Sequence, residues 1–246
     1  GAQAVITNTF GATEAQLGAC GLEDRMEELN HAGMALARSS TPEHVLACVG
    51  PCGIEVLASD ESGQTPTASY RAAYRQYADQ ICVLASDDPD AILLDTFESL
   101  SDLICALDAA HQNCDMPVFA SCAFTPEGKL AKSGEALATV ALAVEASGAD
   151  VFGINCIVSP SQMLPLLTCA RRETVLPLLV RPDVKAIRSG RNALADYSGS
   201  PAEMEEVAPR FREAGAQFIG SCCGSTPAIT GAIYATVSGL DVVRRR

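Results

Sequence analysis

The sequence lacks any apolar run that reaches the roughly 18 residues needed to cross a bilayer. Its first ten residues, from Gly1 to Phe10, have neither the basic start nor the long apolar stretch of a secretion signal. These two absences predict a soluble, cytoplasmic protein with no membrane partner.

Basic residues are few. The chain has 17 Lys and Arg against 30 Asp and Glu, and its net charge is −13. Because nucleic-acid binding depends on clustered basic side chains, this balance predicts no nucleic-acid partner. Histidine is scarce as well, and the scattered positions of His31, His44 and His111 indicate surface or helix residues rather than metal ligands.

Several signatures of enzyme classes are missing. The sequence has no Gly-x-Gly-x-x-Gly, no P-loop, no His-Glu-x-x-His and no Gly-x-Ser-x-Gly. It also has no Asp-x-His-x-x-Gly, the kind of motif that ligates cobalamin.

What the sequence does contain is an alternation of short apolar runs with helical patterns of period 3.6, which predicts parallel βα units. One helical face is predicted to carry Leu22, Met26, Leu29, Gly33 and Leu36, and another Met204, Val207 and Phe211. No linker interrupts residues 1–246, so we expect one domain. The predicted strands are Ala4–Thr9, His44–Val49, Ala91–Asp95, Pro117–Ser121, Asp150–Asn155, Leu176–Val180 and Gln217–Ser221.

A short internal repeat aligns three of these strands. Each is entered through a Gly-Ala-Gln or Gly-Ala-Asp junction, beginning at Gly1, Gly148 and Gly215. Counting seven and eight residues onward gives the pairs Asn8–Thr9, Asn155–Cys156 and Cys222–Cys223. These pairs are therefore expected at the carboxyl ends of their strands, where catalytic groups collect in parallel barrels.

Cysteine is abundant and odd in number, with eleven residues at irregular spacing, which favours a reducing compartment over a disulfide scaffold. Cys20, Cys82, Cys105 and Cys169 lie in apolar stretches and are expected to be small buried hydrophobic residues. Cys222 and Cys223 differ, because glycines flank the pair. With Cys156 at the same level, they could form a three-thiolate catalytic zinc site with an open fourth position, the alternative being three unrelated buried thiols.

Five segments of the chain together resemble the homocysteine S-methyltransferase family, and most closely its methionine synthase branch. The resemblance extends from Gly1 to about Ile233, and its most specific parts are Gly-x-Asn-Cys and Gly-x-Cys-Cys-Gly. The segments are Thr7–Ala12, Val49–Pro51, Leu94–Phe97, Gly153–Cys156 and Gly220–Pro227.

The resemblance implies a (β/α)₈ TIM-type barrel whose first βα unit is missing from this chain, since only seven strands are predicted. It implies zinc on Cys156, Cys222 and Cys223, with the sulfur of homocysteine as fourth ligand. It also implies methylation of that sulfur to methionine. The donor would be methylcobalamin, carried by a corrinoid-binding partner module.

The resemblance also assigns substrate-binding residues. Asp95 ends a strand where the family commonly has a Glu that contacts the substrate ammonium, and Asn8 and Thr9 would line the same pocket. Asp183 matches a family Asn near the metal, so it could ligate zinc when substrate is absent. The family's opening glycine-rich loop, which holds the substrate carboxylate, has no counterpart here.

Other functions remain open at the level of sequence. The protein could methylate another small thiol or use S-methylmethionine as donor. It could be a degenerate zinc-binding barrel without catalysis. A redox role would instead require a reversible disulfide involving Cys222 and Cys223.

Overall fold

The computed structural model describes residues 1–56, 67–184 and 199–244. Within these ranges, strands and helices alternate along the chain, as predicted. The strands are β1 (Ala4–Ile6), β2 (His44–Val49), β3 (Ala91–Phe97), β4 (Val118–Cys122), β5 (Val151–Asn155), β6 (Leu178–Arg181) and β7 (Ala216–Ile219). The helices are α1 (Glu14–Gly18), α2 (Met26–Ser39), α3 (Ala68–Ser86), α4 (Leu100–Asn113), α5 (Leu137–Ala146), α6 (Pro160–Glu173), α7 (Pro201–Glu213) and α8 (Pro227–Arg244).

The sheet is parallel, and its strand order follows the chain from β1 to β7. In the first half, Ile6 pairs with Leu46 and Leu46 with Ala91. In the second half, Phe152 pairs with Leu178 and Leu178 with Ala216. The prediction of parallel βα units is therefore confirmed.

The chain divides into two compact units. The amino-terminal unit comprises residues 3–121 and 146–150, and the carboxyl-terminal unit comprises the remaining described residues. In the amino-terminal unit, Ile92, Leu93 and Leu94 of β3 are all fully buried, as expected for a strand covered on both faces. In the carboxyl-terminal unit, the rings of Phe124 and Phe152 meet edge to face, with centroids 6.3 Å apart.

Two helices test the predicted apolar faces. On α7, Met204, Val207 and Phe211 are buried, which confirms that prediction. The predicted face of α2 was partly wrong: Gly33 is buried as predicted, but Leu36 is 66% exposed and Asn30 is fully buried.

The reason for this shift in α2 is a buried polar network. The Asn30 amide donates to the carbonyl oxygens of Ala12 and Met26, and its oxygen accepts from Gln80. Burying an amide is tolerated when its hydrogen bonds are made. The network therefore places Asn30, rather than the leucines, on the inner face.

Gly33 on α2 is required by a close approach. A Cβ built there would lie 2.4 Å from Cγ2 of Thr9, whose side chain is buried and held by hydrogen bonds. We expect Gly33→Ala to lower the free energy of unfolding by about 1–3 kcal/mol, the usual cost of overpacking a core. Urea denaturation measures this change.

The matched control for that variant is Gly231→Ala on α8. Nothing lies within 4 Å of a Cβ at Gly231. Alanine should there stabilise the helix by up to about 1 kcal/mol through helix propensity alone. A Gly33→Ala protein as stable as wild type would contradict the close packing against Thr9.

Within the described residues, none of the helices is long and apolar enough to cross a membrane.

Candidate metal centre

Four potential ligands converge in the carboxyl-terminal unit, on the loops that follow three neighbouring strands. Cys156 follows β5 directly, Asp183 follows β6, and Cys222 and Cys223 follow β7. One ligand atom from each of these residues lies within 4.8 Å of all the others. The structure thus brings together the three cysteines that the sequence pattern singled out and Asp183, which the resemblance placed near the metal.

Backbone hydrogen bonds continue the strand pairing into these loops. The Cys156 N–H donates to the Arg181 carbonyl at 3.1 Å, and the Cys222 N–H donates to the Pro182 carbonyl at 2.8 Å. The Val184 N–H then donates to the Cys223 carbonyl at 2.9 Å. The loop after β6 therefore forms hydrogen bonds with both loops that carry the cysteines. These bonds fix the positions of the cysteines relative to one another along the strand direction.

The chain bends sharply at Cys156. Cys156 and Ile157 both adopt left-handed backbone conformations, with φ of 58° and 66°. This region is unfavourable for any residue other than glycine, most of all for a β-branched residue such as Ile157, and each such residue costs about 1–3 kcal/mol. Strain of this kind is held by surrounding contacts and is concentrated at functional sites.

One of the two sulfur–sulfur distances from Cys156 matches a tetrahedral zinc site, and the other is shorter. With zinc–sulfur bonds of about 2.3 Å, two tetrahedral ligands lie about 3.8 Å apart. The Sγ atoms of Cys156 and Cys223 are 3.8 Å apart, whereas those of Cys156 and Cys222 are 2.6 Å apart. Three thiols with a neighbouring carboxylate are donors that zinc accepts, and the Cys156–Cys222 pair would separate by about 1 Å to hold the ion.

Mutual contact and burial raise the pKa of two of these thiols, Cys156 and Cys222, when no ion is bound. Hydrogen bonds with Cys222 and Cys223, followed by burial, raise the pKa of Cys156. For Cys222, the hydrogen bond with Cys156 lowers the pKa, but the bond with Cys223 and burial more than offset it. Burial raises the pKa of Asp183, and repulsion between its carboxylate and the thiolate form of Cys222 raises it further. Binding a cation would relieve this crowding of potential negative charge.

Two polar neighbours of the cluster were not singled out as site residues by sequence reasoning. The Asn155 side-chain nitrogen lies 3.8 Å from Cys222 Sγ. Arg181, paired with Asn155 in the sheet, is only 7% exposed, and its charge acts to lower the pKa of Cys222. The available signal for Arg181 was a charged residue directly after a predicted buried strand, Leu176–Val180.

Asn8, Thr9 and Asp95 belong to the amino-terminal unit. The Thr9 hydroxyl donates to the Cys48 carbonyl and lies 2.7 Å from the Thr7 hydroxyl, so it holds the loop after β1 in place. These bonds also explain why β1 ends at Ile6 instead of the predicted Thr9, since side-chain hydrogen bonds replace the ladder. Asn8 is exposed.

Asp95 is 7% exposed, with a carboxylate oxygen 4.0 Å from Cys48 Sγ. The next residue, Thr96, has a φ of 58°, so the chain also bends directly after this carboxylate. The substrate-binding roles of Asn8, Thr9 and Asp95 stay predictions.

The remaining cysteines and the histidines lie elsewhere. Cys105 is buried as predicted. Cys169 is only half-buried, and Cys20 and Cys82 are exposed, which corrects the expectation of buried thiols. His31 and His44 pair with surface aspartates, Asp87 and Asp90 respectively.

Comparison with known proteins adds a family to this geometry. Residues 1–237 match the family model for homocysteine S-methyltransferase. The chain belongs to this family. It is 31% identical over its full length to methionine synthase from Mycobacterium tuberculosis, and 29% identical over 92% of its length to methionine synthase from Mycobacterium leprae. It spans about a fifth of the length of these relatives, 21% and 19% respectively.

Solved structures agree with the fold. The oxidised form of the homocysteine methyltransferase MmuM from Escherichia coli superimposes with a TM-score of 0.78 at 25% identity, over 96% of this chain and 80% of MmuM. Its metallated form gives 0.76 at 24% identity over the same shares. Together with the alternating parallel strands, this confirms the prediction of an α/β, TIM-type fold.

Proposed function

We propose that this chain is a zinc-dependent S-methyltransferase that methylates the thiol of homocysteine to give methionine. The observation that carries the proposal is the cluster of Cys156, Cys222, Cys223 and Asp183, whose ligand atoms lie within 4.8 Å of one another. Membership of the homocysteine S-methyltransferase family supports the substrate.

The donor set suits catalysis better than a closed structural site. Cys156, Cys222 and Cys223 would hold the ion and leave one position for the substrate sulfur, as in catalytic zinc sites with three protein ligands. When bound, zinc supplies Lewis acidity, so that a substrate thiol is deprotonated at neutral pH. A reducing compartment such as the cytoplasm keeps the three protein thiols available for the metal.

The methyl donor in this proposal is methylcobalamin, brought by a partner domain or a corrinoid-binding protein. The sequence itself has no Asp-x-His-x-x-Gly motif, and the relatives it matches are about five times longer. An assay with homocysteine and either methylcobalamin or S-methylmethionine separates the two donors. Methionine formed only from S-methylmethionine would overturn the choice of methylcobalamin.

Cobalt substitution tests whether the fourth position is open. Adding homocysteine to the cobalt-loaded protein should produce a new sulfur-to-metal charge-transfer band, because the substrate thiolate becomes a ligand. An unchanged spectrum would favour the alternative, a degenerate barrel that binds metal without catalysis. A band of equal strength with unrelated small thiols would show that the open position does not select homocysteine. That result would favour the alternative of a different thiol substrate.

Asp95 gives a prediction on substrate affinity. If its buried carboxylate receives the substrate ammonium, Asp95→Asn should raise KM for homocysteine about 10- to 100-fold, which corresponds to the loss of one charged hydrogen bond. Initial rates over a homocysteine series measure the change in KM and kcat separately. The matched control is Asp115→Asn, an exposed carboxylate of the same unit. An unchanged KM would remove Asp95 from the substrate site.

A further inference from the structure

The Asp183 carboxylate bridges the two loops that carry the cysteines. Its Oδ2 accepts the Ile157 N–H at 3.0 Å, and its Oδ1 accepts the Cys223 N–H at 3.2 Å. Ile157 is the residue after Cys156, so each hydrogen bond reaches a ligand or its direct neighbour. The Asp183 N–H also donates to the Val158 carbonyl at 3.0 Å, which ties the same loop from the other side.

The bridge acts where the backbone most needs support. Cys156 and Ile157 are consecutive left-handed residues, and neither is glycine. Such a pair persists only when surrounding contacts over-determine it. The bond from Ile157 to Asp183 is one of these contacts, and the bond from the Val158 N–H to the Cys156 carbonyl at 2.8 Å is another.

We propose that Asp183 is a positioning residue, which clamps the Cys156 loop to the Cys222–Cys223 loop and so builds the metal site before the metal arrives. The inference rests on the proposed function in one respect, the presence of zinc. Hydrogen bonds from N–H groups to a carboxylate are stronger than those between neutral groups, so the clamp is well suited to hold a strained bend. Outer contacts that orient metal ligands affect metal affinity about 10- to 100-fold.

The clamp differs from a ligand role in its requirement for two acceptor atoms. A carboxylate offers two equivalent oxygens, whereas a carboxamide offers one oxygen and an NH₂ group that cannot accept from a second N–H. Asparagine could still bind a metal through its oxygen. Asp183→Asn therefore separates the two roles, because it preserves a possible ligand but breaks one arm of the clamp.

The experiment measures zinc affinity by competition with a chromophoric chelator for wild type, Asp183→Asn, Asp183→Ala and Glu206→Gln. Glu206 is an exposed carboxylate on α7 in the same unit and serves as the matched control. We expect both Asp183 variants to bind zinc about 10- to 100-fold more weakly, and the control to match wild type. At saturating zinc each variant should still hold one ion, since the three thiols remain.

Hydrogen exchange on the metal-free proteins gives a second measurement that does not depend on zinc. The amides of Ile157 and Cys223 should exchange about 10-fold faster or more in Asp183→Ala, and at least one of them in Asp183→Asn, because each has lost a charged acceptor. Exchange in the strands β5 and β7 should be unchanged, which distinguishes a local effect from poor folding.

Two results would overturn the clamp: wild-type zinc affinity in Asp183→Asn, or unchanged exchange at both amides in Asp183→Ala. The first would favour the ligand role. Failure of the wild-type protein to bind zinc would instead contradict the proposed function, and the exchange comparison would still decide for or against the clamp.

Discussion

Replacing Cys222 by serine is expected to remove stoichiometric zinc from this protein. The Sγ atom of Cys222 lies 2.6 Å from that of Cys156, so the substitution removes one of the three thiols that form the cluster. Loss of an outer-sphere partner alone costs about 10- to 100-fold in affinity, and the loss of a thiolate ligand should exceed the upper end of that range. Elemental analysis of protein purified under reducing conditions measures the metal content.

The matched control is Cys169→Ser, a half-buried thiol on α6 of the same unit. It should keep about one zinc per chain, as should wild type. Cys156→Ser should behave like Cys222→Ser. Full zinc occupancy in both Cys156→Ser and Cys222→Ser would mean that the metal binds at a different site.

The second large effect concerns methyl transfer. Replacing Cys223 by alanine should lower the rate of methionine formation at pH 7 about 1000-fold or more. A free thiol with a pKa of about 8.5 is only about 3% ionised at this pH, so the loss of metal activation costs roughly 30-fold. The remaining factor is the loss of a fixed position for the reacting sulfur, for which a cost of more than about 30-fold is modest.

The pH dependence of the remaining activity tests whether the metal activates the homocysteine thiol. In Cys223→Ala, the rate should rise as the pH increases from 7 to 9, because an unactivated homocysteine thiol then ionises by itself. The wild-type rate should depend much less on pH over this interval, since the bound thiol is already deprotonated. Parallel pH profiles for the two proteins would contradict activation of the thiol by the metal.

Much of the fold was predictable from the sequence because its strands are buried on both faces. Such strands are continuous apolar runs, and His44–Val49 was predicted to the residue. The face of α2 was not predictable in the same way. Its inner side is set by a polar network of Asn30 and Gln80, and hydrophobic periodicity carries no information about pairs of amides.

The site was partly predictable. The repeat that begins at Gly148 and Gly215 placed Cys156 and the Cys222–Cys223 pair at the same height, and the structure brings them together. The two hydrogen bonds made by Asp183 were not predictable, because they depend on the left-handed bend at Ile157. No property of that residue type indicates such a bend.

X-ray absorption at the zinc edge, with and without homocysteine, measures whether the substrate sulfur becomes a ligand of the metal. We expect three sulfur ligands at about 2.3 Å in the zinc-loaded protein and four after homocysteine is added. An unchanged sulfur count on adding homocysteine would show that the substrate does not reach the metal, and would contradict the proposal that this chain activates a thiol for methylation.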